Sequence, residues 1–175
     1  MLTLYNKLRI NDEEFPLELY FKPLTNKDYQ DYIFVNYNKL LPQQEKLPKI
    51  LIFVMIKSRI KLNGSDLIKE QLEKDYLLDI FLKFSLEFYQ KTQAKNIKIV
   101  IICPKTGYPL YSPQGEEFFN IPCLITRHLL NFKTLENYCS LIHPQWGRKV
   151  YPSLILSPIS VELIKPMIDD ILRIN

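Results

Sequence analysis

With 47% hydrophobic and 24% charged residues in a chain of 175, the composition is that of a folded globular protein rather than a disordered one, and one domain over residues 1–175 is expected. The formal charge of +4 falls well short of the dense Lys/Arg clustering of a protein whose affinity comes mainly from neutralising phosphates. The longest apolar run, Ile50 to Ile56, is too short to span a bilayer, which takes about 20 residues, so no membrane insertion is expected.

The opening MLTLYNKLRINDEEF has neither a signal-peptide core ending in small residues nor the acid-poor, Arg/Ser-rich character of a transit peptide. The cysteines, Cys103, Cys123 and Cys139, are odd in number and not closely paired, which argues against a disulfide framework. The expected setting is a soluble intracellular protein in a reducing compartment, cytoplasm or organelle interior.

In chain order, Leu17 to Phe21, Tyr32 to Tyr37 and Lys49 to Ile60 each read as strands: aromatic or branched residues bounded by Pro, Asn, Asp or Gln. Pro42 and Pro48 disfavour a helix between the second and third. Asn63-Gly64 marks a turn, Ser65 is a candidate N-cap, and Asp66 to about Thr92 carries a helical pattern. There Leu72, Tyr76, Ile80, Phe84 and Phe88 recur every four residues as an apolar stripe for a core helix.

Asn96 to Cys103 (NIKIVIIC) is the strongest buried-strand signal, ended by Pro104 and Gly107. A loop-rich segment centred on YPLYSPQGEEFF follows. Leu124 to Ile142 then reads as a helix stopped by His143-Pro144. Tyr151 to Leu156 is a short strand, and Ser157-Pro158 leads into a last helix that Pro166 either kinks or starts. The order β-β-β-α-β-α-β-α predicts an α/β or α+β fold with a mixed sheet and a long core helix after the third strand.

The meander, long helix and following strand, with IKSR at the exit of the third strand, resemble the core order of the PD-(D/E)XK nucleases over about residues 17 to 103. The resemblance puts Lys57 at the family's lysine position and Asp31 at the upstream acid, while Met55 stands where the strand acid belongs. A thioether is a poor ligand for the hard divalent metal such chemistry uses. What the resemblance implies is therefore a catalytically degenerate nucleic-acid-binding relative, with Lys57 and Arg59 as contacts.

The proline turns at Tyr108-Pro109, His143-Pro144 and Ser157-Pro158 are similar in succession to the C-terminal half of ubiquitin-conjugating-type proteins, over about residues 97 to 172. Ile159 occupies the position of the acceptor cysteine, so the resemblance implies a conjugation-type domain without its nucleophile.

Both histidines and two cysteines gather in Cys123, His128, Cys139 and His143, and Cys139 with His143 has one-turn spacing. On one continuous helix, however, His128 and Cys139 stand roughly 16 Å apart at 1.5 Å per residue, so no metal site is expected. Gly107 and Gly115 lack the spacing of a phosphate-binding loop, and Glu116-Glu117 and Asp169-Asp170 are sequence neighbours that diverge on a helix or strand. No cofactor and no catalytic residue are assigned.

What stands above background is a pair of aromatic loops. GYPLYSPQGEEFF offers Tyr108, Tyr111, Phe118 and Phe119; HPQWGRKVYP offers Trp146 beside Arg148 and Lys149. Aromatic and Arg side chains are favoured interface anchors, and loops carry recognition. The expectation is a non-enzymatic binding or assembly subunit that docks onto a macromolecular partner, a protein or larger assembly, through these loops. The nuclease-like and conjugation-type readings stand as alternatives, the first with nucleic acid as its partner.

Overall fold

A computed structural model of the chain describes residues 2–10, 13–135 and 140–174, with the backbone alone at 2, 4–6, 8–10, 173 and 174. The strands are β1 (Leu2–Ile10), β2 (Glu13–Pro23), β3 (Ile50–Lys57), β4 (Val100–Ile102), β5 (Lys133–Thr134), β6 (Leu141–Ile142) and β7 (Val150–Ser157). The helices are α1 (Tyr32–Val35), α2 (Tyr37–Leu40), α3 (Leu67–Gln93), α4 (Ile121–His128) and α5 (Val161–Ile174). The fold is mixed α+β.

The principal sheet has the order β1-β2-β3-β7-β4, and every neighbouring pair is antiparallel. The expected mixed sheet is thus corrected: β7 enters between β3 and β4 running against both, so the two strands that α3 joins, though parallel, are not neighbours. β5 and β6 form a separate two-stranded pair.

In β3 the side chains alternate between two cores, because successive strand residues point to opposite faces. Ile50, Ile52, Val54 and Ile56 join the core built with Phe81 and Phe84 of α3 and Ile168 of α5. Leu51, Phe53 and Met55 join the other, closed by Ile33 and Phe34 of α1, Leu40 of α2 and Leu124 and Ile125 of α4. Burial on both faces explains the unbroken apolar run.

The long helix forms where the sequence pattern puts it, but Asp66 rather than Ser65 is its cap: the Asp66 side chain accepts from the Lys69 N–H at 3.1 Å. The four-residue stripe also drifts. Steps of four residues over-rotate by about 40° each, so Leu72 at one end is 67% exposed while Ile80, Phe84 and Phe88 are buried. The buried face instead follows Glu73, Leu77, Phe81, Phe84 and Phe88.

Three further expectations change. Tyr32 to Tyr37 is not a strand: Asp31 accepts from the Ile33 N–H and starts α1, and Ile33, Phe34, Tyr37, Leu40 and Leu41 bury one side at helical spacing. Asp31 itself therefore caps a helix. Leu124 to Ile142 is not one helix: α4 starts earlier, capped by Asn120, and ends at His128, and Asn131 takes a positive φ of 77° before β5. Residues 136–139 of that expected helix, Cys139 included, lie outside the described residues. β1 was not anticipated, and β3 ends at Lys57 rather than Ile60. Pro166 lies inside α5, which runs through it.

Among the described residues no helix is long and apolar enough to cross a membrane.

Candidate functional site

The chain leaving β6 closes a tight turn, His143-Pro144-Gln145-Trp146-Gly147, in which the His143 N–H donates to the Gly147 carbonyl at 2.8 Å and the Gly147 N–H returns to the His143 carbonyl at 3.0 Å. Gly147 has a φ of 59°, the left-handed region in which glycine alone is unstrained. The ring of His143 anchors this turn. Its Nδ1 accepts from the N–H groups of Gln145 and Trp146, at 3.2 and 3.1 Å.

With Nδ1 accepting, the neutral imidazole carries its proton on Nε2. That N–H faces Glu18 Oε2 at 3.0 Å, and the Tyr20 hydroxyl donates to the same oxygen. Glu18 and His143 are both buried. Burial lowers the His143 pKa, as does the nearby Lys57, and the Glu18 carboxylate only partly offsets this. The Trp146 indole stacks on the imidazole at 4.1 Å and 15°, and Phe132 meets the imidazole edge-on at 5.1 Å.

The turn is tied to the exit of β3. The Ser58 N–H donates to the Lys149 carbonyl at 3.2 Å, the Leu62 N–H to the Arg148 carbonyl at 2.9 Å, and the Lys149 ammonium to the Arg59 carbonyl at 3.1 Å. Lys57, Arg59 and Lys149 border one open concavity of about 440 Å³ with Glu13 and Glu14. Two cationic segments far apart in sequence thus form one surface.

Their charges are not equivalent. Arg59 is committed to the fold: its guanidinium lies 2.7 Å from the buried carboxylate of Glu73 and 4.2 Å from the centre of the Tyr76 ring, and its N–H also donates to Glu73 at 2.6 Å. Among the described residues Lys57, Arg148 and Lys149 have no carboxylate at ion-pair distance. The acids at the rim are already engaged, Glu14 with Lys7 at 2.6 Å and Glu13 with the Tyr76 hydroxyl.

The residues of the other loop lie apart from these. Phe119 is buried in the core of α4. Tyr111 packs its ring 4.5 Å from Tyr89 of α3. Phe118 is 58% exposed with Tyr108 6.1 Å from it, and the neighbouring Glu117 accepts from the exposed Tyr32 hydroxyl at 3.0 Å. The loop lies close on α2: a Cβ at Gly115 would stand 1.9 Å from the Lys39 carbonyl oxygen.

Of the nuclease-like positions, Met55 is fully buried, and Asp31 both caps α1 and lies 3.0 Å from Arg127. Among the described residues no three His, Cys, Asp or Glu side chains are placed to hold a metal. His128 stacks over Phe53, with Nδ1 3.6 Å from Asp28, while His143 is held by Glu18. Ile159 packs against the core of α3 and α5, its N–H on the Ser157 hydroxyl.

Sequence reasoning missed Glu18 and Glu73, the buried acids that fix this surface. In LELYF a single acid interrupts a strand with burial on both sides, and that interruption was the available signal. No protein-family model matches the chain, and no curated protein matches it.

Proposed function

We propose that this chain is a non-enzymatic binding or assembly subunit, docking an acidic protein surface on the face formed by Lys57, Trp146, Arg148 and Lys149. One observation carries the reading. The turn is rigidly built, by a buried Glu18–His143 pair and an indole stacked on it, yet it presents cations that the described residues leave unpaired. A preorganised aromatic surface with unspent charge loses little conformational entropy when a partner settles on it. Complementary charge sets the approach and the choice of partner. Phe118 and Tyr108 form a second exposed aromatic patch that a large partner would reach.

The test is affinity purification of the tagged chain with cross-linking, comparing wild type with the Arg148→Ala/Lys149→Ala double variant and with Phe118→Ala. All three substituted side chains are exposed or half-exposed, so the fold should survive. Recovery of a specific cross-linked protein should fall several-fold in the double variant. Undiminished recovery from both variants would sink the reading. Loss of the association on nuclease digestion would instead favour the nucleic-acid alternative, in which the same cations meet phosphates.

A further inference from the structure

β7 pairs with β3 from Val150 to Ser157 but with β4 only from Leu154 to Leu156. β4 stops because the chain turns away at Cys103, whose N–H donates to the Tyr108 carbonyl at 2.8 Å. The direction of the uncovered main chain follows from the ladder. The carbonyls of Lys149 and Ser157 accept from Ser58 and Lys49, on the β3 side. Within a strand, main-chain groups alternate sides, so odd-numbered residues of β7 turn to β3 and even-numbered ones turn away. Val150 and Pro152 therefore point their main-chain groups toward the flank that β4 leaves uncovered. A proline in a central strand is tolerated where its missing N–H faces no neighbour, and Pro152 sits at such a position.

A cleft of about 810 Å³ opens along this flank, walled by Leu67 of α3, Ile121 and Pro122 of α4, and Pro104. Tyr151 lines it at 6% exposure, and its buried hydroxyl has no hydrogen-bond partner among the described residues. A phenol buried without a partner is uncommon. Lys74 and Lys105 stand at the rim. Lys105 is paired with Asp75 at 2.7 Å, whereas Lys74 has no carboxylate at ion-pair distance among the described residues.

We propose that this cleft is a peptide-binding site: an extended segment adds alongside Val150 to Pro152, about 10 Å of strand at roughly 3.3 Å per residue, bonding the N–H and carbonyl of Val150 and only the carbonyl of Pro152. It places apolar side chains against Leu67, Ile121 and Pro122, gives an acceptor to the Tyr151 hydroxyl and sets an acidic residue near Lys74. Strand addition supplies affinity through the main chain and specificity through pockets for alternate side chains. This cleft and the basic concavity share no lining residue, so the two sites can be tested apart.

The probe is a phage-displayed library of linear peptides panned on the folded protein, the enriched sequence then being synthesised and titrated. The expected consensus is apolar at alternate positions with one Asp or Glu, and the Val150 amide should shift and gain exchange protection on binding. Tyr151→Phe, which removes only the hydroxyl, should weaken binding about fivefold, the worth of one neutral hydrogen bond. Leu67→Asp, at an exposed first-turn position, should abolish it, and Arg148→Ala/Lys149→Ala should leave it unchanged. The proposal is overturned if no peptide is enriched, or if the enriched peptides bind Tyr151→Phe and Leu67→Asp as tightly as wild type. It is equally overturned if the shifts map away from β7, or if small apolar molecules occupy the cleft and peptides do not.

Discussion

The imidazole Nε2 of His143 stands 3.0 Å from the carboxylate of Glu18, with both side chains buried and the Tyr20 hydroxyl on the same carboxylate oxygen. Removing the acid takes a shared acceptor away from the buried imidazole and the Tyr20 hydroxyl. Glu18→Ala should cost about 3 kcal/mol or more, as expected when one partner of a buried polar pair is deleted. Glu18→Gln keeps an acceptor oxygen and should cost about 1 kcal/mol. Urea unfolding of both variants checks the ordering, and equal losses would contradict it.

Stability should fall on mild acidification. Burial lowers the pKa of both His143 and His128 below the ordinary 6.5, so between that value and the lower folded value the unfolded chain binds more protons. The stabilisation is complete above about pH 6.5 and is lost as pH falls through the folded values. A second loss should come in stronger acid. Burial opposes the charge of Asp28, but the N–H and hydroxyl of Thr25 and the Lys22 ammonium hold it at about 2, so its contribution is present above 3.8 and disappears toward that lower value. Urea midpoints at successive pH values should show both steps, and His143→Gln should shrink the first.

Gly115→Ala should destabilise by roughly 3 kcal/mol, since the added methyl would meet the main chain of Lys39 and Leu40 rather than a side chain able to move. The same change should alter the surroundings of Phe118 and Tyr108, which the loop carries. Thermal unfolding and the NMR shifts of those rings test it, and an unaffected melting temperature would count against the close approach.

Tyr151→Phe should raise stability by about 1 kcal/mol in the free protein, because a hydroxyl buried without a partner is a desolvation cost with no return. A calorimetric melting point below that of wild type would mean that the hydroxyl is satisfied.

The long helix, β3, β7 and the last helix were legible because each carries a strong local signal: a cap and helical periodicity, or an apolar run with clear ends. α1 and α2 were misread because Tyr32 to Tyr37 is dense in aromatic and branched residues, and such short segments take helix or strand from what they pack against. Ile33, Phe34 and Tyr37 carried the helical spacing. The helix expected over Leu124 to Ile142 failed at Asn131, whose left-handed backbone no apolar periodicity reports. For the site, the aromatic and basic residues were visible individually. The meeting of Lys57 with Lys149 depends on where β7 enters the sheet, and no local pattern encodes that. Phe119 and Phe118, adjacent and chemically identical, were indistinguishable in sequence, although one is buried and the other exposed.

The place of β7 bears on how the molecule is made. β3 is flanked on one side by β2, which precedes it in the chain, while on the other Ile50 must await Ser157. Until the ribosome has delivered β7, β4 has no strand to pair with and one flank of β3 stays open. Loop-closure entropy for that late pairing must be met before its contacts form, which makes acquisition of the sheet slow. A nascent chain stalled before Val150 would hold an apolar β3 flank uncovered, a species for chaperones to mask.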